Sequence, residues 1–368
     1  MFRCIALITT LALGLGTAAS ACTGIRLIAK DGTVVVSRTL EFGLDLQSKI
    51  VVIPAGTKLT GLLPNNATGI SYVAKHGFLG ANAFGLPIVI DGLNDQGLYV
   101  GEFFFPGYAG YAGVTPENAS RAMGGYEYSD WILANFSTVA ELKAAYDRVA
   151  LVSTVVPQMG IAPPVHFRVV DATGASVVIE PVDGKLRIYD DPLGVITNSP
   201  TFDWHLTNLS NYVGLRPMME HPVTLGNGYT VQSFGQGSGF YGLPGDFTPP
   251  SRFVRAVAYQ QTAVQPATGA DAVQQSFHIL NNFDIPVGAV RDVVQGKAVD
   301  EYTLWTSAED LKSLQFYFRT FDDQSLRSVD VANTLAAATQ LRELPMESGA
   351  TTPITPVSGR SLRKKRPR

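Results

Sequence analysis

Cysteine occurs at two positions in this 368-residue chain, Cys4 and Cys22, and Cys22 sits where a thiol could do chemistry. It follows Ala19-Ser20-Ala21, the end of a stretch in which Arg3 precedes an apolar run from Cys4 to about Leu15. A basic start, an apolar middle and an A-x-A end form a secretory signal, too short to span a membrane as a stable helix. Cleavage after Ala21 would discard Cys4 and leave Cys22 as the first residue, so the mature chain could form no internal disulfide. A cysteine there has two strong readings. It is a nucleophile whose own α-amino group serves as base, or it is acylated and anchors the protein to a membrane. Bacterial lipid-attachment signals favour Leu or a similar residue three positions earlier, where this chain has Ala19. Position alone leaves both readings open.

An N-terminal cysteine can attack an amide without a histidine, because its α-amine has a pKa of about 7.7–8.0 and its thiol one of about 8.5. The amine takes the thiol proton and later returns it to the leaving amine. Three aids are needed: a cation that favours the thiolate, a carboxylate that holds the amine, and N–H donors for the oxyanion. Arg38 and Glu41, in Ser37-Arg38-Thr39-Leu40-Glu41-Phe42, supply the first two types. Asn198, in Thr197-Asn198-Ser199-Pro200, and Arg252, in Pro250-Ser251-Arg252-Phe253, supply an amide and a second cation. Each has a bland alternative: a solvated ion pair, a turn former, a helix-surface residue.

The elements that must position these residues read mainly as strands. The β-branched runs Val34-Val35-Val36 and Ile50-Val51-Val52-Ile53 lie in strands predicted over 33–42 and 49–53, after one over 23–29. Two more are expected over 86–91 and 97–105, joined by Gly92-Leu93-Asn94-Asp95-Gln96 as a turn. Helical signals begin near Tyr128, and Thr138 with Glu141 fits a capping box. Strands return over 166–171, 175–181 and 186–190. Helices follow from about Ser251 and over 270–281, then strands over 302–306 and 314–321 and a helix over 332–341. Strand runs interleaved with helix pairs, without a regular βαβ alternation, predict stacked sheets with helices outside. The division expected is a signal over 1–21, one catalytic domain over 22–344 and a solvated tail over 345–368, Pro/Ser/Thr-rich and then basic.

Taken together, these residues resemble the choloylglycine hydrolases and penicillin V acylases, N-terminal nucleophile hydrolases that cleave linear amides. Cys22-Thr23-Gly24 looks like the start of the mature family chain, and Arg38 and Glu41 stand 16 and 19 residues after Cys22, as in the family. Phe105-Pro106-Gly107-Tyr108-Ala109, Thr197-Asn198-Ser199-Pro200-Thr201-Phe202-Asp203 and Gly242-Leu243-Pro244-Gly245-Asp246 running into Pro250-Ser251-Arg252-Phe253 are similar to family segments, in family order. Thr303-Leu304-Trp305-Thr306-Ser307 and Thr320-Phe321-Asp322-Asp323 continue the match to about Val331.

The resemblance implies an α+β fold, a four-layer αββα sandwich, and often a homotetramer whose assembly loop the Gly-rich 225–246 region resembles. It implies Cys22 as nucleophile and base, Arg38 and Arg252 polarising thiol and substrate, Glu41 orienting the amine, and the Asn198 side chain donating to the oxyanion. Two positions depart from the pattern. Glu41 stands where the family usually has Asp, one methylene shorter. Phe104 stands where bile salt hydrolases have Asn and penicillin acylases commonly Tyr, so only its backbone N–H could serve the oxyanion, which tilts away from bile salts. Phe42, Phe103, Phe104, Phe105, Tyr108 and Tyr111 are the expected pocket wall, with Phe42, Phe104 and Tyr108 assigned to substrate. Core packing is the equal alternative for Phe103 and Phe105, which share a strand face. An aromatic wall suits an apolar acyl group.

Composition bounds the alternatives. The chain is 46% hydrophobic and 16% charged, which excludes a disordered chain or a coiled coil. Six of the last nine residues are basic, and setting these and Arg3 aside leaves 21 basic against 31 acidic residues, a net charge of −10. Nucleic acid is therefore not an expected partner. No H-x-x-x-H, C-x-x-C, P-loop or G-x-S-x-G spacing occurs, and Gly237-Ser238-Gly239-Phe240-Tyr241-Gly242 runs into Pro244 instead of a helix, so no metal and no cofactor are expected. His76, His166, His205, His221 and His278 form no partner signature for Cys22 and are read as structural. The expected activity is periplasmic or secreted hydrolysis of a small-molecule N-acyl amide through a Cys22 thioester. Penicillin V comes first, then an N-acyl homoserine lactone, then a conjugated bile salt. The reading from another class is a membrane-anchored lipoprotein binding module acylated at Cys22.

Overall fold

A computed structural model describes residues 21–294, 296–347, 349, 351–354 and 356. Residues 1–20 of the signal expected over 1–21, and the basic cluster from Arg360 to Arg368, lie outside the described residues. Strand Val34–Phe42 is buried along all nine residues, because a neighbouring strand runs on each edge, a helix covers one face and a second sheet the other. In this enclosed strand Ser37, Arg38, Thr39 and Glu41 are buried polar residues, while Val34, Val35, Val36, Leu40 and Phe42 form its apolar part. Full burial of such side chains contributes about 1.5–3 kcal/mol each. The two polar exceptions that matter, Arg38 and Glu41, lie in this strand without solvent.

The first sheet runs Val195–Ile196, Cys22–Ile28, Val34–Phe42, Lys297–Asp310, Gln315–Thr320 and Arg327–Asp330, with Val290–Val294 also paired to Lys297–Asp310. The second has eight strands in the order Lys185–Asp190, Ser176–Val182, Val165–Val170, Tyr99–Phe104, Asp91–Asn94, Phe78–Ala81, Lys49–Ile53 and Arg342–Pro345. Neighbouring strands within both are antiparallel. Helices Pro249–Thr262 and Gly269–Leu280 cover the first sheet and Tyr128–Asn135 the second, giving four layers, αββα. Helix Gly269–Leu280 starts with a full capping box between Thr268 and Asp271. At Thr138 only half of the box forms: its hydroxyl accepts from Glu141 N, while the Glu141 carboxylate turns back to Ser137 N.

Two expectations are corrected and one hairpin was missed. In place of the strand expected over 86–91, Asp91, Gly92, Leu93 and Asn94 form the strand, and the turn lies at Asp95-Gln96-Gly97, where Gly97 has a φ of 77°, a left-handed turn position suited to glycine. The hairpin of Lys58–Leu62 with Thr68–Val73 was not legible, since its residues alternate without a strong apolar face. The body does not stop at 344: Arg342–Pro345 pairs with Lys49–Ile53, and Met346 is buried.

Candidate active site

Cys22 opens the first strand at the edge of the sheet stack and is buried. Its nitrogen donates to Asn198 Oδ1 at 2.9 Å, and its carbonyl oxygen accepts from Arg252 Nη1. Arg252 ties the arrangement together. Nη1 also donates to Thr23 Oγ1 at 3.0 Å, Nη2 to Asn198 Oδ1 at 2.6 Å, and Nε to Phe247 O at 2.8 Å. The guanidinium is thus fixed from three directions and grips the nucleophile's backbone, and burial lowers its pKa against the pull of Glu41 and Cys22. Its helix begins at Pro249-Pro250, whose fixed φ suits the first turn. Just ahead, Asp246 accepts from Ser251 and Thr248. Partial burial opposes its charge, but these hydrogen bonds hold it down to about 2.

Arg38 lies two residues before Leu40, the strand partner of Cys22, in the register that also pairs Gly24 with Arg38. Its Nη1 donates to Glu102 O and pairs with Asp91 Oδ1 at 3.9 Å, and its plane packs over Phe103 at 4.1 Å. Nη2 has no hydrogen-bond partner among the described residues. Burial works against the charge, but Cys22, Asp91, Tyr99 and Glu41 outweigh it and raise the pKa. Glu41 Oε1 accepts from Thr303 Oγ1 at 2.9 Å, and Thr303 Oγ1 in turn accepts from Ile285 N at 2.9 Å. Burial pushes Glu41 up to about 8, although Arg252, Thr303 and Arg38 all favour its ionised form. Ala21 is still attached in the described chain, its N–H donating to Glu301 Oε1 at 2.5 Å, so the Cys22 nitrogen is here a peptide N–H.

Asn198 is expected to donate to an oxyanion. Its Nδ2 donates to Phe104 O at 2.7 Å, which uses one of two N–H bonds and leaves the second for another acceptor. Phe105 N donates to Pro164 O and Glu102 N to Ile90 O, both at 2.7 Å. The alternation of an antiparallel ladder then turns the Phe104 N–H to the Ile90 side, beyond Asp91, where that neighbour's pairing ends.

On that side lies a cavity whose lining includes Cys22 and Arg38. Phe42, Phe104, Phe84, Ile88, Ile90 and Val165 line it, together with Tyr126, Met159 and Glu102. Phe42 and Phe104 meet edge to face at 5.7 Å, as their assignment to the wall requires. The other aromatics do not join them. Tyr108 is 46% exposed and rests on Phe105, outside the cavity lining. Its place in the Phe105–Ala109 turn carries it past the strand end, which corrects its assignment to substrate. Phe105 stacks on His166 at 4.3 Å, and Phe103 lies between Arg38 and Gly24, so both are core. Tyr111 donates from its hydroxyl to Pro163 O and bounds the wall from behind.

Two histidines read as isolated structural residues turn out to brace Asn198. His205 Nε2 donates to Asn198 O at 3.0 Å, and His166 Nε2 to Thr197 O at 3.1 Å. His166 Nδ1 meets Glu180 Oε1 at 3.3 Å, which also accepts from Phe202 N at 2.9 Å. Burial pulls His205 down to about 4, so it is neutral at pH 7. The one local signal was His205, two residues after the Thr197–Asp203 segment and four after Thr201 on a short helix; the partnership of His166 and Glu180 on adjacent strands carried none. Among the described residues no group of three His, Cys, Asp or Glu side chains could hold a metal ion, and no helix is long and apolar enough to cross a membrane.

Residues 22–340 match the family model of linear amide C–N hydrolases, choloylglycine hydrolase family. The chain is 32% identical over 312 residues to a bile salt hydrolase/transferase of Clostridium perfringens, covering 84% of this chain and 92% of that one. It is 26% identical over 349 residues to a penicillin V acylase of Pectobacterium atrosepticum, covering 88% and 85%. A solved conjugated bile acid hydrolase from Clostridium perfringens superposes with a TM-score of 0.78 at 30% identity, over 92% of this chain and all of that one.

Proposed function

This chain belongs to the choloylglycine hydrolase family of linear amide C–N hydrolases, and we propose that it cleaves the amide between an apolar acyl group and a small polar amine through a thioester on Cys22. The observation that carries the reading is the junction of a buried thiol, gripped through its backbone by Asn198 and Arg252, with an apolar cavity. Export and removal of residues 1–21 convert the Cys22 nitrogen into an α-amine. The amine then takes the thiol proton, and the thiolate attacks the amide carbonyl carbon. The second Nδ2–H of Asn198 and the Phe104 N–H receive the oxyanion, and Glu41 and Arg38 set the charge around amine and thiolate. Collapse breaks the C–N bond as the ammonium gives its proton to the leaving amine. Water, deprotonated by the same amine, attacks the thioester and releases the acid.

Conjugated bile salts are the substrate that the relatives favour, since bile salt hydrolases match at 30% identity or more while the penicillin V acylase stands at 26%. This reverses the order expected from Phe104 alone. A second reading, amides of phenoxyacetic acid, is favoured by the edge-to-face pair of Phe42 and Phe104, which gives an aromatic acyl group a wall to pack on, and the aliphatic lining would admit the chain of an acyl homoserine lactone. The test is a panel of glycine- and taurine-conjugated bile salts, penicillin V and acyl homoserine lactones with the processed protein, scored by released amine. Failure on every member, with an unmodified N-terminal Cys22 confirmed by intact mass, would overturn the proposal. We also propose a homotetramer, supported by the exposed apolar side chains Val223, Leu225, Tyr229, Val231 and Phe234 on the arm after residue 220. Unshielded apolar patches of this kind mark association surfaces.

A further inference from the structure

The cavity wall is apolar except for Cys22, Arg38, Glu102 and Tyr126, and Glu102 adjoins Arg38, whose Nη1 donates to its backbone oxygen. Glu102 is 6% exposed. Ser129 Oγ donates to its Oε1 at 2.9 Å and fixes the side chain, while Oε2 has no hydrogen-bond partner among the described residues. Packing does not account for the group. A leucine would fill the same wall without the cost of burying a half-satisfied carboxyl, which is about 1–3 kcal/mol. Burial, reinforced by the nearby Asp130 carboxylate and opposed by Ser129 and Arg38, raises Glu102 well above the ordinary carboxylic range and so favours its protonated form, which can donate. A neutral acid in an apolar pocket is a hydrogen-bond donor in search of an acceptor, and in this cavity the acceptor must come with the ligand.

We infer that Glu102 is a specificity-determining residue that hydrogen-bonds an oxygen of the acyl group, so that preferred substrates carry an ether, ketone or hydroxyl oxygen in an otherwise apolar acyl part. The inference rests on the proposed amidase reading and deepens it. It concerns the acyl half of the substrate and leaves the reaction at Cys22 as written above. A site built to hold such an oxygen discriminates against the analogue that lacks it, because its own polar atom is then left unpaired.

The test compares acyl pairs that differ only in oxygen: N-(phenoxyacetyl)glycine with N-(3-phenylpropanoyl)glycine, and glycocholate with its ring-deoxygenated glycine conjugate. The protein as it stands should prefer the oxygen-bearing member of at least one pair by about tenfold in kcat/KM. In Glu102→Leu that ratio should collapse toward one, and in Glu102→Gln, which keeps a donor, it should be largely retained. A ratio near one in both pairs, or a ratio unaltered by Glu102→Leu, overturns the inference. Turnover of none of the four conjugates would count against the amidase reading itself. The pairs are then titrated calorimetrically into Cys22→Ala protein with Glu102 or Leu at that position, where a Glu102-dependent preference upholds the inference and its absence overturns it.

Discussion

Removing the Asn198 side chain should separate catalysis from architecture, because its two ends have different duties. Oδ1 accepts from the Cys22 nitrogen and from Arg252 Nη2, while Nδ2 donates to Phe104 O at 2.7 Å. In Asn198→Ala the Arg252 donor and the Phe104 carbonyl are both left inside the protein, at a cost on the order of 3 kcal/mol of stability. Loss of one oxyanion donor should cut kcat by about 10²–10³-fold. Asn198→Asp tests which end matters. It keeps an acceptor for Arg252 and Cys22, and so should recover much of the stability. It also puts carboxylate oxygens against Phe104 O and the developing oxyanion, so its kcat should fall at least as far as that of Asn198→Ala. The assay is urea denaturation alongside steady-state release of amine from whichever conjugate the processed protein turns over fastest. An effect confined to KM would mean binding without transition-state stabilisation. Asn198→Ala protein that is folded and within about tenfold of the original kcat would refute the reasoning, since a donor worth so little is not an oxyanion donor.

Other outcomes follow from the same geometry. Cys22→Ala should abolish hydrolysis while leaving the fold intact, since the Asn198 and Arg252 contacts are made to the Cys22 backbone; retained turnover would exclude the thioester route. His205 is held at about 4, against about 6.5 in an unfolded chain, so stability should be full above pH 6.5 and fall by about 3 kcal/mol as pH drops through 6.5 toward 4. In His205→Gln that slope should shrink, as measured by urea titrations at pH 4.5, 5.5 and 7. If the proposed homotetramer uses this arm, Phe234→Glu, on a fully exposed ring, should shift sedimentation velocity to smaller species without altering the secondary structure. Tyr108→Ala, outside the cavity, should change kcat/KM less than Phe104→Ala by at least about tenfold if a buried aromatic contact is worth more than an exposed one.

The candidate reaction centre was legible from short, distinctive segments and one strand pair, although it joins residues far apart in the chain. Arg38 and Glu41 sit on the strand that pairs directly with the Cys22 strand, and Asn198 and Arg252 lie in short segments whose order and composition are distinctive. The strands Cys22–Ile28 and Val34–Phe42 were legible with boundaries shifted by about a residue, whereas the neighbour expected over 302–306 runs over Lys297–Asp310 and the strand expected over 86–91 forms only over Asp91–Asn94. The cavity was not. Its wall comes from at least four segments, near residues 40–46, 83–90, 102–104 and 156–165, and their convergence depends on how two sheets stack. Tyr108 and Phe84 look alike in the sequence, aromatic residues near glycine, yet one faces solvent and the other the cavity.

The same division explains why reaction type and substrate are known to different depths. The amide-cleaving apparatus is tied to backbone atoms: Arg252 and Asn198 hold the Cys22 main chain, and His166 and His205 hold the main chain of the Asn198 segment. Backbone-directed bonds tolerate side-chain change around them, so the apparatus can persist while the wall is rebuilt. The wall is made of side chains alone, and a substitution there alters what is accepted without disturbing the nucleophile. Phe104 embodies both roles. Its carbonyl anchors Asn198 and its ring faces Phe42 across the cavity, so one residue belongs by its backbone to the chemistry and by its side chain to specificity.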